Sequence, residues 1–233
     1  MKKRAVALMM TLLLAALAGV CLADSEGVIV NSSCNIVQSG EYYLVYCYAQ
    51  VHNNASEIIC LEEGTFELHS GEQLLSGQPV TQLWPYFINP GEDGYIFDVV
   101  AFEPGEDGAS MPQVTNVVYD IQYMTVSGQY ASRDLSAVAE LERGDTGELT
   151  VVCHITNGTD VDAYAPTIAF GLYAENGGML YADGTTLQHV GIPAGGTLLL
   201  RFPVDDELVA QWDGYGMSAA EVRVSAAFRN DED

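Results

Sequence analysis

The chain has 233 residues, of which 48% are hydrophobic and 17% are charged. This composition indicates a globular protein with a packed core and excludes a disordered chain. Eight basic residues against 32 acidic ones give a formal net charge of -24, which excludes nucleic acid as a partner because its phosphates would be repelled.

The first 23 residues predict an export signal. Lys2–Arg4 supply a positive start, Ala5–Val20 an apolar stretch, and Cys21–Ala23 a small-residue cleavage site. This stretch of 16 residues falls short of the ~20 that a spanning helix needs, which favours cleavage over a retained membrane anchor. Lipid attachment at Cys21 is a lesser alternative. A lipoprotein signal has a small residue directly before its cysteine, whereas this chain has Val20 there. We therefore expect a secreted or surface-associated chain without an integral membrane segment.

The rest of the chain shows an internal repeat with an offset of 104 residues. The matching landmarks are Ser39–Glu41 and Arg143–Asp145, Asn53 and Asn157, Phe66–Leu68 and Phe170–Leu172, Gly91 and Gly195, and Val118 and Val222. A repeat of roughly 100 residues has the size at which a two-sheet β-sandwich encloses its own core. We therefore predict two domains, 24–126 and 135–233, joined by a short linker at 127–134.

Alternation of apolar and polar residues predicts β-strands in both repeats, with turn residues between them. The principal predicted strands are 43–51, 58–69, 95–102 and 115–126, followed by 149–155, 164–173, 197–204 and 220–228. Residues 136–142 fit either a turn of helix or an opening strand, and no other segment after the signal shows helical periodicity. About seven short strands per repeat predict an all-β fold of two immunoglobulin-like Greek-key sandwiches.

A short motif in the second repeat carries a family resemblance. Phe170-Gly171-Leu172-Tyr173 resembles the strand end that names the FxLYD-type immunoglobulin-like domains of bacterial secreted and surface proteins. The first repeat offers Phe66-Glu67-Leu68-His69 at the equivalent place, and both repeats lack the final Asp, having Ser70 and Ala174 instead. The resemblance implies the fold and no activity, because that family is not defined by catalytic or ligand-binding residues.

Four cysteines follow the signal segment, three of them in the first repeat. Strand parity predicts that Cys34, Cys47 and Cys60 all point inward, and the Asn53-Asn54 turn lies between the last two. A disulfide between Cys47 and Cys60 is the first candidate, with Cys34–Cys60 next. Cys153 is expected to be a free, buried residue.

Aromatic residues outside the predicted core supply the only residue-level indication of a ligand. The candidate ligand contacts are Trp84, Tyr86, Phe87, Trp212 and Tyr215. Three further tyrosines are expected on an outer sheet face, namely Tyr42, Tyr46 and Tyr48. Aromatic side chains on loops can anchor a peptide, a protein or a sugar ring. The competing interpretation, which we favour for Trp84 and Phe87, is that they fold over the sandwich edge and fill the core.

The sequence offers no catalytic centre and no cofactor site. No lysine follows Lys3, which excludes Schiff-base catalysis. Asp145-Thr146-Gly147 matches the tripeptide of aspartic proteases, but the first repeat has Glu41-Tyr42-Tyr43 there and supplies no second aspartate. A hydrolase is therefore only a weakly supported alternative.

Metal binding also has little support. The four histidines are dispersed and none forms a zinc-ligand spacing. Two acidic turns, Pro90–Gly94 and Pro104–Gly108, offer oxygen ligands that could bind calcium. They lack the alternating aspartates of known calcium loops, so we interpret them as solvated turns. We expect no metal.

These observations predict a non-catalytic binding or spacer module that acts outside the cytoplasm. Protein or peptide interaction is the first expectation, either with a cationic partner or by addition of a strand to a sheet edge. The alternative within the same class is glycan binding through Trp84 and Tyr86.

Overall fold

The computed structural model describes residues 27–103, 113–126 and 133–229. The predicted signal segment, most of the predicted linker and the acidic turn at 104–108 lie outside these residues. Within them the chain forms antiparallel β-sheets and one short α-helix, which confirms the all-β prediction.

The strands of the first half are β1 (Gly27–Ser39), β2 (Tyr42–Asn53), β3 (Ile58–Ser70), β4 (Gln73–Pro79), β5 (Leu83–Trp84), β6 (Phe87–Ile88), β7 (Asp93–Phe102) and β8 (Asn116–Val126). The elements of the second half are β9 (Arg133–Asp134), β10 (Ser136–Arg143), β11 (Leu149–Thr156), β12 (Ala163–Tyr164), β13 (Thr167–Ala174), β14 (Met179–Thr186), β15 (Gly191–Ile192), β16 (Thr197–Pro203), α1 (Asp206–Gly214) and β17 (Ala219–Phe228). The segment that the sequence leaves open between helix and strand is thus strand β10.

Four sheets make up most of the fold. Sheet 1 contains β4, β3 and β6 with β8 paired to β3, and sheet 2 has the order β1-β2-β7-β5. Sheet 3 has the order β14-β13-β17-β9, and sheet 4 has the order β10-β11-β16. Apolar side chains fill the space between sheets 1 and 2, between sheets 2 and 3 and between sheets 3 and 4. The four sheets are therefore stacked in that order.

Each half has its own core between two sheets. The fully buried residues between sheets 1 and 2 include Val45, Cys47, Ala49, Val51, Ile59, Phe66 and Leu68. Those between sheets 3 and 4 include Val151, Cys153, Ile155, Ile168, Phe170 and Leu172. Both sets occupy every second position of their strands. The side chains in between point to the other face of each sheet, where they can pack against something else.

That other face is buried in sheets 2 and 3, which pack against each other at the junction of the two halves. Tyr48 and Tyr95 of sheet 2 belong to the same buried cluster as Tyr173 of sheet 3. A Cβ atom at Gly171 would lie only 2.7 Å from the Tyr95 ring, so the two sheets approach closely at this glycine. The central sheets are therefore covered on both faces.

Hydrogen bonds between buried polar groups also cross the junction. The Asn35 side chain donates to the Leu180 carbonyl over 2.7 Å and accepts from Trp212 Nε1 over 3.0 Å. The Tyr173 hydroxyl donates to Gln50 Oε1 over 2.8 Å. Since an unpaired buried polar group costs about 1–3 kcal/mol, these bonds fix the position of one half on the other.

Helix α1 contributes to the same junction. Asp205 caps it by accepting from the Glu207 N–H over 2.8 Å. Leu208 and Trp212 lie on one side of the helix, one turn apart, and are buried. The prediction of no helix after the signal is wrong here, because nine residues with few apolar positions give too short a periodic pattern to detect.

The 104-residue offset also relates hydrogen bonds in the two halves. Asn53 Nδ2 donates to the Ile88 carbonyl over 2.9 Å, and Asn157 Nδ2 donates to the Ile192 carbonyl over 2.8 Å. Gly91 and Gly195, at φ 79° and 72°, each donate their N–H to the carbonyl of the same asparagine. A buried asparagine thus ties the end of the second long strand to a glycine turn in each half.

The hairpins that open the two halves differ in length. β1 and β2 are joined by Gly40 and Glu41, whereas Gly144–Glu148 connect β10 to β11. The predicted match of Ser39–Glu41 with Arg143–Asp145 therefore does not hold. The insertion shifts the equivalence of the opening strands by three residues, so that Asn35 of β1 corresponds to Glu142 of β10.

Candidate binding groove beside the junction

A groove opens at the side of the junction, where edges of sheets 2 and 3 meet. β5 is the edge strand of sheet 2 and β14 is the edge strand of sheet 3. The cavity has a volume of about 430 Å³. The first half contributes Thr81, Gln82, Leu83, Trp84 and Tyr86, and the second half contributes Thr167, Gly184, Thr185, Thr186 and Gln188.

The lining of the groove is uncharged. None of its ten residues is acidic or basic, although the whole chain has a formal net charge of -24. Its polar groups are hydroxyls and amides, including the Thr167 and Thr186 hydroxyls at 3.0 Å from each other. Such groups both donate and accept hydrogen bonds, so the groove suits a neutral, polar ligand.

Two aromatic residues from the predicted set line this groove. Tyr86 is 54% exposed, and its ring packs edge-on against Phe87 with the centroids 4.9 Å apart. Trp84 is half-buried, because its indole lies on the main chain of Gly184, where a Cβ atom would be 2.8 Å from ring atoms. Tyr86 therefore presents its ring to the open groove, while Trp84 forms the floor that joins the two halves.

Two carboxylates, the buried Asp98 and the half-buried Asp183, hold the two rims of the groove. Asp98 accepts from the Thr81 N–H at 3.2 and 3.3 Å and also accepts from the Thr81 hydroxyl. Asp183 accepts from the Gly184 N–H over 2.7 Å and from the Tyr181 hydroxyl over 3.0 Å. Burial raises the pKa of both carboxyl groups. Both acids accept hydrogen bonds from lining residues and so position them, and neither acid lines the 430 Å³ groove, although Asp98 lines the smaller depression beside it.

A smaller depression of about 160 Å³ shares Thr81 and Gln82 with the groove. Its remaining lining residues are Phe66, Gln78, Pro79, Phe97, Asp98 and Val99. The two cavities together form a surface, from the second half to sheet 1, that a chain-like ligand could follow.

The other predicted ligand contacts do not reach the groove. Phe87 is half-buried beneath the Arg229 guanidinium, which lies 5.1 Å from its ring centroid. Trp212 is only 1% exposed, because it lies on α1 and bonds to Asn35 across the junction. Tyr215 is a half-buried residue at the end of α1. The prediction that Trp212 lies outside the core, accessible to a ligand, is therefore wrong.

The outer-face tyrosines of β2 also differ from the expectation. Tyr42 is exposed, Tyr46 is half-buried and stacks on Phe97, and Tyr48 is completely buried against Tyr181 of the second half. Their alternation correctly separates them from the core between sheets 1 and 2. The second half covers the face that the sequence indicates as open to solvent.

A second cavity, of about 290 Å³, lies at the opposite edge of sheet 3 and is acidic. Glu92, Asp93, Asp134 and Arg223 are among its lining residues. Burial raises the pKa of Glu92 to about 7, and the hydrogen-bonded Asp134 carboxylate acts in the same direction. Asp93 is 2.8 Å from His52. This cavity therefore contrasts with the uncharged groove in its lining.

The predicted Cys47–Cys60 disulfide is not present in the structure. The sulfur atoms of Cys34, Cys47, Cys60 and Cys153 are all unlinked there. A β-bulge between Leu61 and Glu63 shifts the register of β3, so Ile59 faces the first core and Cys60 lies on the opposite face. The prediction that Cys60 points inward is wrong, because the extra residue of the bulge puts each side chain before it on the face opposite to the one that the alternation after it indicates.

The catalytic and metal alternatives gain no support from the described residues. Asp145 lies in the exposed turn between β10 and β11, away from the three cavities. Gly91 forms a turn that bonds to Asn53, in agreement with the turn composition of the first acidic segment. Across residues 27–103, 113–126 and 133–229, no group of three or more potential ligand residues is placed to hold a metal.

Most of the groove lining was not predicted from the sequence, because only Trp84 and Tyr86 of its ten residues were candidate ligand contacts. Thr167, Thr185, Thr186 and Gln188 come from the second half and carry no signal of their own, since threonine is common in strands. Only the knowledge that β14 lies beside Trp84 identifies them.

No protein-family model matches the chain, and no curated protein is significantly similar to it in sequence. In the part of the chain that the structure describes, no helix combines the length and apolar character needed to cross a membrane.

Proposed function

We propose that the chain is an exported, non-catalytic binding module that holds a neutral saccharide chain in the groove between its halves. The proposal includes two tandem immunoglobulin-like domains of the FxLYD type and a signal segment at residues 1–23. The observation that carries it is the uncharged groove, in which the exposed ring of Tyr86 lies among hydroxyl and amide groups.

The chemistry of the groove favours a saccharide over a cationic peptide. A cationic ligand would gain most from acidic lining residues, which this groove lacks. Sugar rings offer many hydroxyl groups that both donate and accept, and side-chain hydroxyls and amides match them. An exposed aromatic ring adds apolar contact area for the face of a sugar ring.

The location of the groove supports a binding role for the paired halves. Trp84 reaches Gly184 across the junction, and the Asn35–Trp212 and Gln50–Tyr173 hydrogen bonds hold the two rims in fixed relation. A preorganised site loses less entropy when a ligand binds than a mobile one does. The junction therefore supports affinity as well as stability.

The proposal is tested by screening the purified chain against a panel of neutral oligosaccharides and measuring each hit by calorimetry. Tyr86→Ala should weaken binding at least about tenfold, because a central aromatic contact contributes about 2 kcal/mol or more. Tyr86→Phe should retain most of the affinity, since it keeps the ring. Tyr42→Ala is the matched control, because Tyr42 is 47% exposed and is not among the groove residues.

Salt and peptide controls separate the alternatives. Binding of a neutral saccharide should be nearly independent of ionic strength, whereas a cationic ligand should dissociate as salt screens the charges. No binding by any saccharide, together with a peptide that tolerates Tyr86→Ala and is lost after proline substitution in β14, would replace the proposal with edge-strand addition.

A further inference from the structure

Cys34 and Cys47 are directly opposite each other in the antiparallel pair of β1 and β2. We propose that these two residues form an intramolecular disulfide when the chain folds in the presence of an organic disulfide. Export into an oxidising compartment, which would supply that oxidant in the cell, belongs to the proposed function. The geometry of the pair does not depend on it.

The register places the pair at a favourable type of position. The two-residue loop makes Ser39 and Tyr42 the closing pair of the hairpin, and such a pair exchanges hydrogen bonds. Hydrogen-bonded and non-hydrogen-bonded pairs alternate along an antiparallel ladder. Cys34–Cys47 lies five pairs further on and is therefore non-hydrogen-bonded. Such pairs have Cα atoms about 4.5 Å apart, inside the range of roughly 4.4–6.8 Å seen in disulfides.

The side chains of this pair share one face of sheet 2. Cys47 belongs to the core between sheets 1 and 2, and Cys34 packs against the same cluster. Cys60 is on the far face of β3, and Cys153 lies in the core of the second half. Among the described cysteines, Cys34 and Cys47 are thus the pair that the fold brings together.

The reaction is a two-step thiol–disulfide exchange. The more accessible Cys34 attacks the organic disulfide, which forms a mixed disulfide and releases one thiol. Cys47 then displaces the second thiol, so the two cysteines lose two hydrogens and the organic disulfide is reduced to two thiols. Burial raises the pKa of Cys34 to about 11 and raises that of Cys47 as well. Few thiolates therefore exist in the folded chain near neutral pH, and the bond should form during folding.

The disulfide would fasten the hairpin that supports the junction. Asn35 and Tyr48 directly follow the two cysteines and point to the opposite face, where they contact the second half. A covalent link between β1 and β2 keeps these two contacts in register. Oxidation should therefore raise the urea concentration at which the chain unfolds.

The test refolds the full chain from urea in mixed reduced and oxidised glutathione, alkylates the remaining thiols and digests with a glutamate-specific protease. Cleavage after Glu26, Glu41, Glu57 and Glu62 places Cys34 in 27–41, Cys47 in 42–57 and Cys60 in 58–62. The expected result is a 27–41 peptide linked to 42–57, lighter by two hydrogens than the two free peptides. The peptides that contain Cys60 and Cys153 should be alkylated.

Matched variants make the result decisive. Cys60→Ser should preserve the link, whereas Cys34→Ser should abolish it and leave Cys47 alkylated. A folded chain in which 27–41 and 42–57 both carry the alkyl group, or in which 58–62 is linked to either of them, would overturn the proposal. The proposed saccharide binding is measured separately by the Tyr86 variants, so failure of one proposal does not imply failure of the other.

Discussion

The outer face of sheet 2 is buried and most of the equivalent face of sheet 4 is open, although the 104-residue offset relates their strands. Tyr95 of β7 is 2% exposed at the junction, whereas Leu199, its counterpart in β16, is 51% exposed. Asn35 is buried and bonded to Trp212, while Glu142 at the equivalent place in β10 pairs with Arg201 on the surface. Repeated sequence thus gives both halves one architecture, and a few outward side chains determine which face becomes an interface.

The largest expected effect comes from removing the ring of Tyr95, which lies on the face of sheet 2 that packs against sheet 3. Tyr95→Ala should lower the free energy of unfolding by about 3–5 kcal/mol, because it leaves a large cavity between sheets 2 and 3. The matched change Leu199→Ala should alter it by about 0.5 kcal/mol or less. Urea denaturation of both variants measures the difference, and similar losses in the two would contradict the contrast between the faces.

The other side of the junction gives the next effect. Gly171→Ala places a Cβ atom against the Tyr95 ring, and we expect a loss of about 1–3 kcal/mol from overpacking. Glu67 stands 104 residues earlier on the exposed face of sheet 1, so Glu67→Ala is the control and should change stability little. An unchanged free energy of unfolding in Gly171→Ala would contradict this prediction, since it would mean that sheets 2 and 3 can move apart without loss of stability.

A smaller effect is expected from the polar contact of Gln50. Gln50→Ala removes the acceptor of the Tyr173 hydroxyl and should cost about 1 kcal/mol, the usual net contribution of one hydrogen bond. His154 is the counterpart in β11 and lies exposed, 3.5 Å from Glu140. His154→Ala should therefore be nearly neutral. Equal decreases in melting temperature for the two variants would show that the Gln50–Tyr173 hydrogen bond does not stabilise the junction.

The smallest effect concerns pH at the acidic cavity, where Glu92 corresponds to Gly196 of the second half. Glu92 retains its proton in the folded chain up to a pKa of about 7, against an ordinary value of 4.5. Unfolding therefore releases this proton between these pH values, and its contribution to stability falls as pH rises through that window. Glu92→Gln should show a shallower decline in melting temperature from pH 5 to pH 7 than the parent chain. Parallel curves would contradict this assignment.

The sequence predicts the strands and the turns well and the environment of the outer faces poorly. Two-residue periodicity separates Cys47 from Tyr48, because it depends only on local backbone geometry. It gives no information about what covers Tyr48, which depends on contacts with residues more than a hundred positions away. The bulge at Leu61 and Glu63 is similarly hidden, since neither residue is a glycine or proline that would mark it.

The candidate site follows the same division. Trp84 and Tyr86 are identified from the sequence because aromatics stand out in an irregular segment. The threonines of β14 are found only when the two halves are placed together. Trp212 is the opposite case, since the same reasoning that selects Tyr86 also selects this buried junction residue.

The hydrogen bond between Asn35 and Trp212 joins residues 177 positions apart. During synthesis the first half therefore emerges with Val37, Tyr48 and Tyr95 lacking the apolar partners that they have in the finished molecule. This hydrophobic patch stays exposed to solvent until the ribosome has produced helix α1 and β17. We expect a nascent chain truncated before residue 206 to aggregate or to recruit chaperones, and the completed chain to unfold in one cooperative transition.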